Sequence, residues 1–328
     1  MAVRYRRRSE RGFRAAVSRL LNELQYPTTL RGKIITASLA ALVFGFLSLV
    51  VIGGFLLARA LSPPHAGEAL DPTELIGTTQ AVSFKSPDGT SHNGWFFPGR
   101  RRGPVIVVLH GYGSSRSDVL DLATSLQEHR YNVLAFNLAG HGESPRKRTT
   151  LGFQETEELL AALDMLARRA DLDGQRIGLW GHSLGAYTAL KAAARSPGVK
   201  VLVLDSLYTR PVDMLRLQLR RHGAHWVPLL GAITRLEYRL YTFRNRRNND
   251  AIPIEQLADI PKLFIAGDDQ PALAEFTRVL FERAPEPKEF VRRRRTSLTT
   301  LAALERTAYE DLVISFFLTH LPLVERTR

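Results

Sequence analysis

Residues 181–185 read Gly-His-Ser-Leu-Gly, and their flanks narrow the folds open to this chain more than any other feature. The five residues follow a short apolar run, 177–180, and open a helical pattern that begins near Leu184. A strand that turns straight into a helix holds the intervening serine, Ser183, on a strained turn above a sheet. Gly181 and Gly185 suit that turn, because strand and helix meet there with no room for side chains. The helix N-terminus brings positive potential and the free Leu184 N–H to the serine oxygen, where an oxyanion would form.

The surrounding pattern supports a parallel sheet. Runs at 105–109, 133–137, 177–180, 201–204 and 263–266 are short and mostly apolar, as strands buried on both faces should be. Between them, 119–129, 154–169 and 184–195 carry apolar residues at three- and four-residue spacing, so amphipathic helices alternate with the strands. Ahead of them, 80–85 and 92–97 flank Pro87-Asp88-Gly89 and read as an antiparallel hairpin. The expected fold is α/β, a doubly wound, mostly parallel sheet over residues 80–320. Residues 206–255 break the rhythm and read as a cap insertion, and 321–328 as a tail.

The N-terminal part has its own logic. Residues 34–57 contain no charge, and 24 helical residues span about 36 Å, enough for a hydrocarbon core of roughly 30 Å. The span is read as one transmembrane helix over 34–60. Its length exceeds the apolar run of a cleaved signal peptide, although Ala58-Arg59-Ala60 fits a cleavage pattern. Nine cations against Glu10 and Glu23 precede the span, whereas Lys85 is the only cation between Arg59 and Arg100. The basic leader, 1–33, is therefore expected in the cytoplasm, and the domain on the extracytoplasmic side. Phe13, Val17, Leu20, Leu21 and Leu24 recur at helical spacing beside Arg14 and Arg19, a pattern for a helix on an anionic membrane surface or for a solvated one. Residues 61–79, with Pro63, Pro64, Gly67, Pro72 and Gly77, read as a linker.

Composition decides less. The net charge is +13, and 38 of the 45 cations are arginine. No interleaving of cations with aromatics and no nucleic-acid motif accompanies the charge, so nucleic acid is not expected as a partner and the arginines read as a solvated surface. With no cysteine, disulfides, thiolate metal sites and cysteine nucleophiles are excluded. No metal and no cofactor is expected.

A second glycine-rich element follows the run at 105–109: His110, Gly111, Tyr112 and Gly113. Such a loop after a central strand presents backbone N–H groups toward Ser183, and Tyr112 N–H is the expected second oxyanion donor. These motifs in this order, with Gly140, His141, Gly142, Glu143 and Ser144 between them, resemble the α/β-hydrolase superfamily. The similarity is greatest to its esterase-like and serine-aminopeptidase-like branch, which often carries an N-terminal membrane anchor. His110, His141 and His182 each sit in a turn-shaping motif and read as hydrogen-bonded structural residues.

The resemblance implies hydrolysis of an ester, thioester or amide through an acyl-serine at Ser183, with an acid after a late strand and a histidine after the last one. The run at 263–266 ends in Gly267, Asp268, Asp269 and Gln270, and the family's acid more often stands where Gln270 is. Asp269 is preferred as the acid, Asp268 is its alternative, and Asp205, after 201–204, is the second choice. After the last strand pattern, 288–292, the sequence continues through Arg293, Arg294 and Arg295 to Thr300 without a histidine. The next is His320, at the end of the final helical pattern, and His222 and His225 fall in the cap. The expectation is thus a membrane-anchored serine hydrolase of small esters or amides whose base is unidentified, with a catalytically impaired binding or scaffolding protein as the alternative.

Overall fold

The computed structural model describes residues 28–64, 78–243 and 252–324, together with 18, 22 and 25. Most of the expected leader, the linker stretch 65–77, the polar cap segment 244–251 and the tail from 325 lie outside the described residues.

The first long element is helix α1 (Leu30–Leu61), and the hairpin follows as β1 (Gln80–Lys85) and β2 (Ser91–Phe97). Then come β3 (Val105–Leu109), α2 (Leu120–Glu128), β4 (Asn132–Phe136), α3 (Phe153–Ala167), β5 (Ile177–His182), α4 (Leu184–Ala193) and β6 (Val199–Asp205). The stretch expected as a cap contains α5 (Pro211–Arg221) and α6 (Pro228–Tyr241), and β7 (Lys262–Gly267), α7 (Pro271–Arg283), β8 (Lys288–Arg293) and α8 (Ala303–His320) follow. The strands form one eight-stranded sheet in the order β1-β2-β4-β3-β5-β6-β7-β8. β1 and β2 pair antiparallel, β2 pairs antiparallel with β4, and the other neighbours are parallel.

Period-two alternation divides each central strand between two cores. Val107, Leu109, Leu179, Leu202, Leu204 and Phe264 face one layer with α3 and α4, and Ile106, Val108, Trp180, Val201, Val203 and Ile265 face the other with α2 and α8. Burial on both faces is what makes these strands read as unbroken apolar runs.

The order matters for the site. The chain leaves β3 toward β4 on one side and returns to β5 on the other, so β3 and β5 are neighbours at a reversal of strand order. Loops at the carboxyl ends of such strands enclose a crevice. Leu109 pairs with Gly181 in this register, and His182 with Asp205 on the next strand.

The last turn of α1 packs into the core of the globular domain: Leu57, Ala60 and Leu61 are buried in the same apolar cluster as Leu184 and Leu204. An apolar run has the same sequence signature whether lipid or protein covers it. The domain also caps the helix end. Tyr112 Oη donates to Ala60 O at 2.7 Å and Thr149 N to Leu61 O at 2.8 Å, satisfying two of the carbonyls that every helix end leaves open. Farther back, a Cβ on Gly53 would stand 3.1 Å from Thr234 Oγ1 and 3.3 Å from Ile233 Cγ2, so α6 lies closely alongside α1. The more apolar part of α1 is bare: only 6% of its most apolar 18-residue stretch is buried in the protein.

Candidate functional site

Ser183 stands at the junction of β5 and α4 with φ +50° and ψ −105°, a backbone conformation that non-glycine residues rarely adopt. The close packing that enforces it is measurable. A Cβ at Gly181 would lie 2.4 Å from Gly185 C, and one at Gly185 would lie 2.2 Å from Leu109 O. Ser183 N–H donates to Asp205 O at 2.8 Å, which ties the turn to β6. Leu184 opens α4, so its N–H is among those with no carbonyl inside the helix.

Across the reversal point, the loop after β3 carries Gly111 and Tyr112. Gly111 must lack a side chain, because a Cβ there would meet His182 Cδ2 at 2.6 Å. Tyr112 is turned toward α1 by its bond to Ala60, and burial pushes its phenol up to about 12 against the opposing pull of Arg221 and Arg59.

His182 stands apart from the other motif histidines. His110 is fully buried, its Nε2 accepts from Leu138 N at 3.0 Å, and its Nδ1 therefore carries the proton toward Gly111 O at 2.8 Å. That ring is a structural strut. His182 instead lines a cavity of about 640 Å³ at the carboxyl edge of the sheet. Its Nδ1 lies 3.4 Å from Asp205 Oδ2, within ion-pair reach but misaligned for a hydrogen bond, and its Nε2 is 3.3 Å from Gln270 Nε2. Sequence reading of His182 as a turn-shaping residue missed this placement, which follows from the β5–β6 register.

Asp205 is completely buried and well supplied with donors. Tyr309 Oη donates to Oδ2 at 2.7 Å and Ser206 Oγ to Oδ1 at 2.9 Å, while Trp180 Nε1 donates to Tyr309 Oη at 3.1 Å. Burial, and then the Asp205 carboxylate, hold the Tyr309 phenol well above its usual range, so it stays a donor. Tyr309, on α8, carried no motif. Its one signal was a polar tip within an otherwise apolar helical face.

The other acids lie differently. Asp269 is exposed on the cavity wall beside Gln270. Asp268 points outward to Arg292 Nε at 2.6 Å, so of the two it is the one turned away from the cavity. In the loop after β8, where the family carries its histidine, Thr296 is fully buried and its hydroxyl lies 3.0 Å from Ser206 Oγ. Because Ser206 gives its proton to Asp205, Thr296 donates to Ser206. Arg295 and Ser297 reach the cavity from the same loop.

The remaining histidines are not assembled here. His320 is 3.7 Å from Glu289, near the start of β8 and so at the opposite edge of the sheet from Ser183. His222 and His225 are exposed around the end of α5, and His225 borders a separate groove between α5 and α6. Ser183 is 3% exposed and does not itself line the cavity, although its neighbours His182 and Tyr112 do. Among the described residues, no hydrogen bond joins a side chain to the Ser183 hydroxyl, and no group of three or more His, Asp or Glu is placed to hold a metal ion.

Known proteins agree with this architecture. The α/β hydrolase fold family model matches residues 104–232. Rv2307c of Mycobacterium tuberculosis is 29% identical over 239 residues, covering 71% of this chain and 77% of that protein. A polyketide transferase of Stachybotrys chlorohalonatus is 33% identical over 123 residues, 36% of this chain and 41% of its own. Among solved structures, the Pyrococcus furiosus esterase Pf2001 superposes with a TM-score of 0.61 at 22% identity, covering 80% of this chain and 99% of its own. Dienelactone hydrolase from Anabaena variabilis gives 0.52 at 19% identity, covering 74% and 99%. The chain has the α/β-hydrolase fold.

Proposed function

We propose that this protein is a membrane-anchored serine hydrolase that cleaves a small ester, thioester or amide through an acyl-serine at Ser183. The observation that carries the reading is the left-handed backbone of Ser183 between β5 and α4, maintained by glycines whose side chains would collide with backbone. In this reading the Tyr112 and Leu184 amides receive the oxyanion. The His182–Asp205 pair supplies the imidazole: the Asp205 carboxylate, 3.4 Å from Nδ1, favours the proton there, leaving Nε2 to take the serine proton through one water. Asp269, on the cavity wall, is then a substrate contact, and the orienting role expected of it falls to the buried Asp205. Anchoring is assigned to α1, whose charge-free stretch 34–57 reaches about 36 Å and exceeds a hydrocarbon core of roughly 30 Å. The leader would remain cytoplasmic and the domain extracytoplasmic.

A second reading, a hydrolase-fold binding protein without turnover, is favoured by the buried Thr296 in the loop where a histidine would stand. A fluorophosphonate probe applied to the purified full chain separates the two. The hydrolase reading expects covalent labelling that is lost in Ser183→Ala and slowed about a hundredfold or more in His182→Gln. Absence of serine-dependent labelling, with no turnover of short-chain esters or thioesters, would establish the second.

A further inference from the structure

The outer face of helix α6 carries a continuous apolar stripe that the protein leaves bare. Leu229, Ala232, Leu236, Leu240 and Phe243 recur at spacings of three and four and are exposed, Leu236 at 56% and Phe243 at 75%. Leu230, Thr234 and Tyr238, on the opposite side of the same helix, are buried, and Ile233 beside the stripe packs on Gly53 of α1. Trp226, just before the helix, is 81% exposed. One such leucine is ordinary on a soluble surface, but an aligned row ending in an exposed tryptophan is not.

The position of α6 along α1 identifies what covers the row. Lys33 is the last charge before the bare stretch of α1, and Gly53 is where α6 packs against it. Twenty residues of helix separate them, or about 30 Å, the thickness of a bilayer's hydrocarbon core. With Lys33 at one headgroup layer, Gly53 reaches the other, and α6 must lie at that boundary. The polar side chains next to the stripe suit it: Arg239 is exposed on α6, Arg235 borders the α5–α6 groove together with Arg220, and both of these helices pack against α1. A bare apolar row with tryptophan at one end and arginines beside it is the composition of a helix lying in a membrane interface.

We infer that α6 is a second membrane contact: its outer face, from Trp226 to Phe243, is seated in the interfacial layer of the bilayer that α1 crosses. The cap then does not float above the membrane but rests on it. Leu230 and Tyr238 share one apolar cluster with Leu57 and Leu184, so the core behind the elbow is continuous with the lipid-seated helix. The inference rests on the anchor assigned to α1 and is independent of turnover at Ser183.

The chain has no cysteine, so single-cysteine variants of the full protein can be labelled directly with an environment-sensitive fluorophore. Leu236→Cys and Leu240→Cys report on the stripe, Val43→Cys on the middle of α1, and Glu282→Cys on the far surface of α7. Each is reconstituted in vesicles of phosphatidylcholine and phosphatidylglycerol, with doxyl quenchers placed near the headgroup or near the chain end. The expected result is a loss of about twofold or more from the headgroup-proximal quencher at both stripe positions, deep quenching at Val43, and none at Glu282. Quenching at Val43 without quenching at either stripe position would overturn the inference while leaving the anchor intact. Absence of quenching at Val43 would remove the anchor and the inference together.

Discussion

The Tyr112 phenol and the Ala60 carbonyl, 2.7 Å apart, connect the loop beside Ser183 to the last turn of the apolar helix. A residue whose backbone N–H is the proposed oxyanion donor thus uses its side chain to close a helix end, so the position of α1 and the shape of the site are coupled through one residue. Tyr112→Phe removes the donor and leaves Ala60 O buried without it, at a cost of about 1–3 kcal/mol. The expected outcome is a lower melting temperature and faster hydrogen exchange through residues 58–62. Unchanged exchange there would mean that Thr149 alone closes the helix.

Gly185→Ala tests the elbow itself. Its Cβ would stand 2.2 Å from Leu109 O and 2.7 Å from His110 O, both backbone atoms of the neighbouring strand and loop that cannot turn aside. Overpacking a buried junction typically costs about 1–3 kcal/mol, and a clash with backbone falls at or above the top of that range. The variant should express poorly or melt well below the wild type. A soluble variant with an unchanged melting curve would show that β3 and α4 can separate here at little cost.

Much of this arrangement was legible in the residues, and what escaped did so for identifiable reasons. The central strands were visible because burial on both faces leaves only apolar side chains, and 105–109 agrees with β3 at both ends. The glycines announced the elbow because their requirement is local. The pairing of His182 with Asp205 was not visible, because it arises from the register of two parallel strands joined through a whole helix, and register has no signature in either strand alone. Tyr309 reaches Asp205 across 104 residues of chain. The burial of Leu61 escaped for another reason: lipid and protein select the same side chains.

His92 provides a pH test independent of the site. It is buried on β2, stacked on Phe84 at 5.3 Å, with Nε2 3.0 Å from Ser86 Oγ. Burial, and then the nearby Arg146, push its pKa down from 6.5 to about 4. Between those values the unfolded chain binds a proton that the folded chain refuses, so stability is intact above pH 6.5 and is lost as pH falls toward 4. At pH 5 the loss is about 2 kcal/mol. His92→Phe keeps the stacking and removes the titration. Thermal unfolding at pH 7.5 and pH 5 should show the smaller drop in the variant, whereas equal drops would exclude His92 as the source.

Asp205→Asn separates an orienting role from a purely structural one. The amide preserves the size of the side chain, but Tyr309 already accepts from Trp180 and Ser206 from Thr296, so the hydroxyl facing the new NH2 loses its acceptor, at a cost of about 1–3 kcal/mol. The consequence falls on His182. Where the carboxylate favours a proton on Nδ1, an amide NH2 facing that nitrogen favours the opposite tautomer, with the proton on Nε2, and an Nε2 that already carries a proton cannot accept one from Ser183. Substituting the orienting aspartate in this way lowers turnover about ten-thousandfold in enzymes that rely on it. The expected pattern is a collapse of kcat with KM within a few-fold of wild type, a modestly lowered melting temperature, and exchange of the protonated and unprotonated His182 ring nitrogens in nitrogen NMR. Full turnover with the tautomer reversed would remove His182 from the proton path and leave Asp205 as a buried brace between β6 and α8.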